Sequence, residues 1–185
     1  MKKQLQNTIT HHFMPNEFVD NIFEITPELI KGLNKKAIIT DLDNTLVGWD
    51  TPSATDEVKE WFHRMNENGI KITVVSNNNS ERVKAFCDPH DIEFIARAQK
   101  PRRKSLKKAL SQMEMNSDDT VLIGDQMMTD VLGGNRLGLY TILVVPVKNS
   151  DGMSTKINRM LERRVLKYFE RNNLLNKGED DNSNI

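Results

Sequence analysis

Apolar residues along this chain come in short unbroken runs, separated by longer stretches with helical spacing. Runs with no polar residue at every second place describe strands buried on both faces, not strands with one wet side. Five are predicted, over residues 37–41, 70–76, 93–96, 120–124 and 140–145. Between them the pattern predicts helices over 55–68, 80–86, 101–115 and 128–137. Thr55 opens the first of these and Gly69 lies just past its end, Pro89 stops the second, Pro101 suits the first turn of the third, and Gly138 ends the fourth. Strand and helix in alternation predict an α/β fold, a doubly wound parallel sheet with right-handed crossovers. No sequence repeat is visible.

Two flanking segments extend this unit. Residues 13–30 carry Phe13, Phe18, Val19, Ile22, Phe23 and Ile25, so residues 1–36 are read as a preface packed on or near the core, as helix or loop over the sheet. The domain proper is read over 37–150. Residues 154–171 set Ile157, Met160, Leu161, Val165, Leu166 and Phe169 against Lys156, Arg159, Arg163, Arg164, Lys167 and Arg171. That is an amphipathic helix, placed within 151–175, suited to packing on the domain or to lying on an anionic membrane. Residues 176–185 are expected to be a disordered tail.

Candidate chemistry sits where the runs end. The first strand stops at Asp41 and Asp43 and turns at Asn44-Thr45, and ligands of open α/β sheets bind beyond the carboxyl ends of strands. A lone pair of acids there could be a helix cap and a turn. It could also be a nucleophile, Asp41, and an acid, Asp43, that protonates a leaving oxygen, with a metal shielding Asp41 from a phosphate dianion. The second run ends in Ser76-Asn77-Asn78-Asn79, suited to bonding phosphate oxygens. The run 120–124 ends in Asp125, with Asp130 five positions on, and Lys100 precedes a basic helix. Each signal alone is ordinary. Their order, three of them directly after buried strands, favours a single phosphate site.

In this order the chain resembles the haloacid dehalogenase superfamily of phosphohydrolases, subfamily IIIA, on DLDNTL at 41–46, Ser76, Lys100 and GDQMMTD at 124–130. The resemblance implies Asp41 as nucleophile forming an aspartyl-phosphate and Asp43 as general acid, then base. It implies Ser76 and Lys100, with Thr45 and Asn77, as the groups that hold the phosphoryl. It implies a Mg²⁺ site made by Asp41, Asp125 and the main-chain carbonyl of Asp43, with Asp130 supporting it. Asp43 is replaced in relatives that cleave carbon–halogen or carbon–phosphorus bonds, so its presence implies phosphate-ester hydrolysis.

Composition narrows the picture. The 26 basic and 26 acidic residues cancel, so no global basic field argues for nucleic acid. The single Cys87 excludes an internal disulfide framework and fits a reducing compartment. No run approaches the roughly 20 apolar residues of a membrane span, and no secretory signal is read, so a cytoplasmic location is expected. His11, His12, His63 and His90 lack metal-ligand spacing.

The intervals 46–70 and 76–100 are too short for the lid domain that many relatives insert. A capless site is expected to be covered by a bulky substrate, a surface, an oligomer or a protein partner. Beside it, residues 97–108 hold seven cations and no acid. The finer pattern, ITPELIKGLNKKAIITDLDNTLVGWD, VVSNN, KP, GDQMMTDVLGGNRLG and YTILVVP, is similar to the YqeG subgroup, itself similar to phosphatidylglycerophosphate phosphatases. This implies hydrolysis of phosphatidylglycerophosphate to phosphatidylglycerol by an enzyme peripheral to the inner face of a membrane. A sugar phosphate, a phosphoprotein or a nucleic-acid end remains an alternative substrate, and a non-catalytic regulatory role an alternative class.

Overall fold

The structure is a computed structural model and describes residues 2–148 and 153–172. The expected tail at 176–185 lies outside the described residues. Six parallel strands form one sheet in the order β1-β6-β5-β2-β3-β4: β1 (Glu17–Val19), β2 (Ala37–Thr40), β3 (Lys71–Val75), β4 (Glu93–Ile95), β5 (Thr120–Gly124) and β6 (Tyr140–Val144). The connecting helices are α3 (Asp56–Glu67), α4 (Ser80–Cys87), α5 (Arg103–Met113) and the short α6 (Leu132–Asn135). Helices α1 (Lys2–Phe13) and α2 (Pro27–Gly32) precede the core, and α7 (Met153–Arg171) follows it.

Both faces of the sheet are covered. Ile38, Val74, Val121 and Ile123 meet Val58, Trp61, Phe62 and Met65 of α3 and Val83 and Phe86 of α4 on one side. Ala37, Ile39, Val75 and Leu122 meet Leu106, Ala109, Leu110 and Met113 of α5 on the other. Every residue of β2 and β5 is therefore buried, which explains why these strands read as unbroken apolar runs. Local signals agree with the packing. The Thr55 hydroxyl accepts from Val58 N at 3.3 Å to open α3, and Gly69 takes the left-handed φ of +73° that closes it.

The preface differs from a layer lying over the sheet. Ile22, Ile25 and Ile30 do enter the core, but Glu17–Val19 pairs with β6 as a sixth, edge strand. Three residues with one exposed phenyl ring carry too little periodicity to announce a strand; pairing supplied by β6 decides it. Asn16 guides the entry, its main-chain N donating to Thr141 O at 2.8 Å and its side-chain Oδ1 accepting from Thr141 N at 2.8 Å. The helix expected over 128–137 is also divided, into a π-type turn at Met127–Val131 and then α6. In α7, Val165, Leu166 and Phe169 pack against Met127 and Val131, and Phe169 is fully buried. Met127 thus belongs to the packing beneath the turn.

No lid is inserted among the described residues. A loop and α3 join β2 to β3, and only α4 and β4 lie between β3 and Lys100. After β2 the chain runs outward to β4 and then crosses back to β5, so β2 marks the place where strand order reverses and where a crevice opens beyond the strand ends.

Candidate active site

Strand register brings the motif residues to one level. Ala37–Thr40 pairs with Thr120–Ile123 on one side and Lys71–Val74 on the other, so the residues that follow β2, β3 and β5 emerge side by side. Asp41 N donates to Ile123 O at 3.0 Å and Ser76 N to Ile95 O at 3.0 Å, which carries the pairing to the edge of the site. Asn44 then turns the chain with a left-handed φ of 64°, a conformation that asparagine tolerates.

Lys100 is the hub. Its ammonium lies 2.9 Å from Asp41 Oδ1 and 2.7 Å from Asp130 Oδ1, and its side chain is 1% exposed. Burial works against its charge, but Asp130 and Asp41 outweigh burial and hold the lysine above its ordinary range. Asn77 fixes the main chain of Lys100 from both sides: its Oδ1 accepts from Lys100 N at 2.7 Å, and its Nδ2 donates to Lys100 O at 3.3 Å. Its carboxamide acts here on the lysine. Helix α5 begins at Arg103, two residues later than Pro101 would suggest, which leaves Lys100 in the turn before it, where Arg102 N donates to Gln99 O at 2.9 Å.

Asp130 is held as closely. Its Oδ2 accepts from Gln126 N at 3.1 Å and from the Thr129 hydroxyl at 3.3 Å, so the π-type turn folds its carboxylate back over the end of β5. Gly124 makes this possible, because a Cβ there would overlap the Asp130 side chain. Burial pushes the Asp130 carboxyl above the usual range, Lys100 opposes that rise, and Asp41 adds to it.

Carboxylate oxygens of Asp41, Asp125 and Asp130 lie within 4.8 Å of one another, and all three residues are buried. Thr45 Oγ1 stands 3.4 Å from Asp125 Oδ1. One lysine among three buried carboxylates leaves excess negative charge, which a divalent cation would offset. The donors are all hard oxygens, the set that suits Mg²⁺ in preference to a softer ion. The residues present therefore fit a divalent metal.

Asp43 points the other way, toward α4. Asn78 Nδ2 donates to its Oδ2 at 2.8 Å, and Arg82 donates to its Oδ1 from Nε at 3.3 Å and Nη2 at 3.2 Å. Burial pushes the Asp43 carboxyl above its ordinary range, with Asn78 and Arg82 pulling it down and Asp41 pushing it slightly further up. Repulsion from neighbouring carboxylates is thus the lesser cause and desolvation the greater. Arg82 did not stand out from the sequence. Its signal was the cap: Asn79 Oδ1 accepts from Arg82 N at 2.9 Å, and this places Arg82 in the first turn of α4 beside the motif. Ser76 is buried, with its Oγ accepting from Asn78 N at 3.1 Å.

Residues 97–155 match a family model described as HAD-hydrolase-like. A protein of Bacillus subtilis named "Probable phosphatase YqeG" is 58% identical over 159 residues, 86% of this chain and 92% of that one. Phosphatidylglycerophosphate phosphatase 1 of Arabidopsis thaliana is 23% identical over 87% of this chain and 49% of its own length. Among solved structures, the cobalt-bound deoxy-D-mannose-octulosonate 8-phosphate phosphatase of Haemophilus influenzae superposes with a TM-score of 0.52 at 16% identity, over 73% of this chain and 89% of that one. That last likeness is one of fold. With identity this high over nearly the whole of the Bacillus protein, the chain belongs to the haloacid dehalogenase superfamily as a YqeG-type phosphatase, a phosphoric monoester hydrolase.

Proposed function

We propose that the enzyme hydrolyses phosphatidylglycerophosphate to phosphatidylglycerol, with Mg²⁺ as its metal, at the inner surface of a membrane to which it binds peripherally. The observation that carries this reading is the missing lid. Among the described residues no lid domain is inserted between β2 and β3 or between β3 and Lys100, so whatever presents the substrate must also keep stray water away. A lipid headgroup held at a bilayer meets both needs. The distant likeness to the Arabidopsis lipid phosphatase points the same way. Among the described residues no helix is long and apolar enough to cross a membrane, so attachment would be at the surface.

In the proposed reaction Asp41 attacks phosphorus in line, and Asp43 gives its proton to the departing glycerol oxygen. Asp43 then takes a proton from water, whose oxygen attacks phosphorus and releases Asp41. Lys100, Thr45 and Ser76 hold the phosphoryl group, and Asn77 keeps Lys100 in place. Mg²⁺ held by Asp41, Asp125 and the Asp43 carbonyl, with Asp130 supporting, would shield the approach of one anion to another. Burial of Asp43 suits its first role, since an acid must hold its proton near neutral pH.

The test is a panel of phosphatidylglycerophosphate, a sugar phosphate, a phosphopeptide and a 5′-phosphorylated oligonucleotide, assayed side by side with Mg²⁺. Selective release from the lipid is expected, and preference for any other member would replace the lipid reading. Asp41→Asn should abolish turnover on every substrate while the fold survives; retained turnover would remove the nucleophile assignment.

A further inference from the structure

We propose that the mouth of the site is shaped to seat on an anionic bilayer, with Trp49, Val145 and Val147 as its apolar contact and Arg97, Arg102 and Lys104 as its cationic contact. This rests on the lipid reading above and names the surface through which such a substrate would be met.

Scattered exposed apolar residues are ordinary; a cluster beside an open site is not. Trp49 is 50% exposed, Val145 57% and Val147 53%. They lie on two segments fastened together at the site's edge. Val147 N donates to Asn44 O at 2.9 Å, and Lys148 bridges to both oxygens of Asp50 at 2.8 and 2.9 Å. Gly48 packs so tightly on Lys148 that a Cβ would meet its aliphatic stem at 3.0 Å. Trp49, held between Gly48 and Asp50, is thereby kept beside the segment after β6. The same loop starts at Asp43, which pairs with Val47.

Cations border the other side of Asp43. Arg97 N donates to Asn78 O at 2.8 Å, and the Asn78 side chain reaches Asp43. Arg97 is exposed, and so are Arg102 and Lys104, which follow Lys100 on the chain. An apolar cluster with a tryptophan on one lip and exposed cations on the other complements the interface of an anionic membrane, where the indole ring lies at headgroup depth and the cations meet phosphates. In helix α7, Val165, Leu166 and Phe169 pack on Met127 and Val131, while Met160 and Leu161 are exposed.

The two tryptophans allow a direct test. Trp61 is fully buried and donates to Ile25 O at 2.8 Å, so only Trp49 can report on a bilayer. The full chain is mixed with vesicles of equal parts phosphatidylglycerol and phosphatidylcholine, and with phosphatidylcholine alone, each with brominated acyl chains. Quenching of Trp49 by the anionic vesicles is expected. In vesicle co-sedimentation, which needs no tryptophan, the triple variant Trp49→Ser, Val145→Ser, Val147→Ser should bind the anionic vesicles roughly 10- to 100-fold more weakly than the parent. Its turnover of p-nitrophenyl phosphate should match the parent, and the single Trp49→Ser repeats the measurement with less change to the surface. Undiminished binding by these variants, or a parent that ignores anionic vesicles, would overturn the proposal. So would a lipid-free dimer, seen by sedimentation equilibrium, that the triple variant dissociates, since the patch would then belong to a second copy. If the parent binds through this rim but releases no phosphate from lipid, the substrate reading fails and the surface stands. If the triple variant hydrolyses lipid at the parent's rate, the surface fails and the substrate reading stands.

Discussion

Arg82 reaches Asp43 from α4 with two nitrogens on one oxygen, Nε at 3.3 Å and Nη2 at 3.2 Å, while its Nη1 donates to Pro52 O at 2.8 Å. The guanidinium thus ties the first turn of α4 to the loop that follows Asp43. With Asn78 it holds the direction of that carboxylate, and it favours the charged form against burial.

Replacing Arg82 with Met tests this link. Burial holds the Asp43 carboxyl above its ordinary range, and Arg82 is one of the groups that pull it back. Without Arg82 the Asp43 pKa rises further, so more of the acid keeps its proton at any given pH. The basic limb of kcat/KM is expected to move to higher pH, while kcat falls about 10-fold as the carboxylate loses its orientation. A limb that stays in place or moves to lower pH would remove Asp43 as the titrating acid.

Lys100→Met should be costly for a different reason. The ammonium is enclosed with Asp41 and Asp130, and removing one partner of a buried ion pair leaves the other charge uncompensated. A loss of about 3–5 kcal/mol is expected in urea unfolding, and turnover should fall with it. Divalent cations should recover part of the stability, because they replace the missing positive charge. Unchanged stability in the variant would mean that the two carboxylates are not both ionised in the native protein.

These contacts show where the sequence was legible and where it was not. Strands β2 and β5 were readable because burial on both faces demands unbroken apolar runs, and the acids after them because no such run tolerates a carboxylate within it. Arg82 was hidden among many surface cations; only the capped turn of α4 distinguishes it. Asn77 was read as a ligand for phosphate oxygens from its side chain alone, and its bonds to the Lys100 main chain depend on a pairing 23 residues away in sequence. Strand β1 depends on β6, more than a hundred residues further along, and has no internal pattern of its own.

Tyr140 offers a check on that edge strand. Its hydroxyl donates to Glu17 Oε1 at 2.7 Å, across β6 and β1. Burial, with the Glu17 carboxylate, pushes the phenol up to about 12. The folded pKa exceeds the unfolded value of about 10, so the contribution to stability is whole below that pH and is lost as pH rises toward 12. Tyr140→Phe is expected to cost about 1 kcal/mol at pH 8 and to flatten the fall in stability over the alkaline window. An unaltered alkaline unfolding curve would mean that Glu17 and Tyr140 do not meet in solution.

Asp125 separates metal binding from fold. Asp41, Asp125 and Asp130 crowd three buried carboxylates around one lysine, and the divalent ion that offsets them binds only the folded chain. At 100 times its Kd such an ion adds about 2.7 kcal/mol of stability, which for a chain of this length raises Tm by roughly 5–10 °C. Thermal unfolding of the parent with MgCl₂ is expected to show that rise, and chelation to abolish it together with turnover. In Asp125→Ala the rise should vanish, because one donor is gone. The metal-free Tm should not fall, and is expected to increase slightly, since removing Asp125 relieves repulsion among the three acids. Asp41→Asn makes the complementary control: it keeps an oxygen donor, so a reduced but measurable Mg²⁺ shift should remain although turnover is lost. A parent whose Tm ignores MgCl₂, CoCl₂ and MnCl₂ alike would remove the metal site and leave Lys100 as the counter-charge for all three carboxylates.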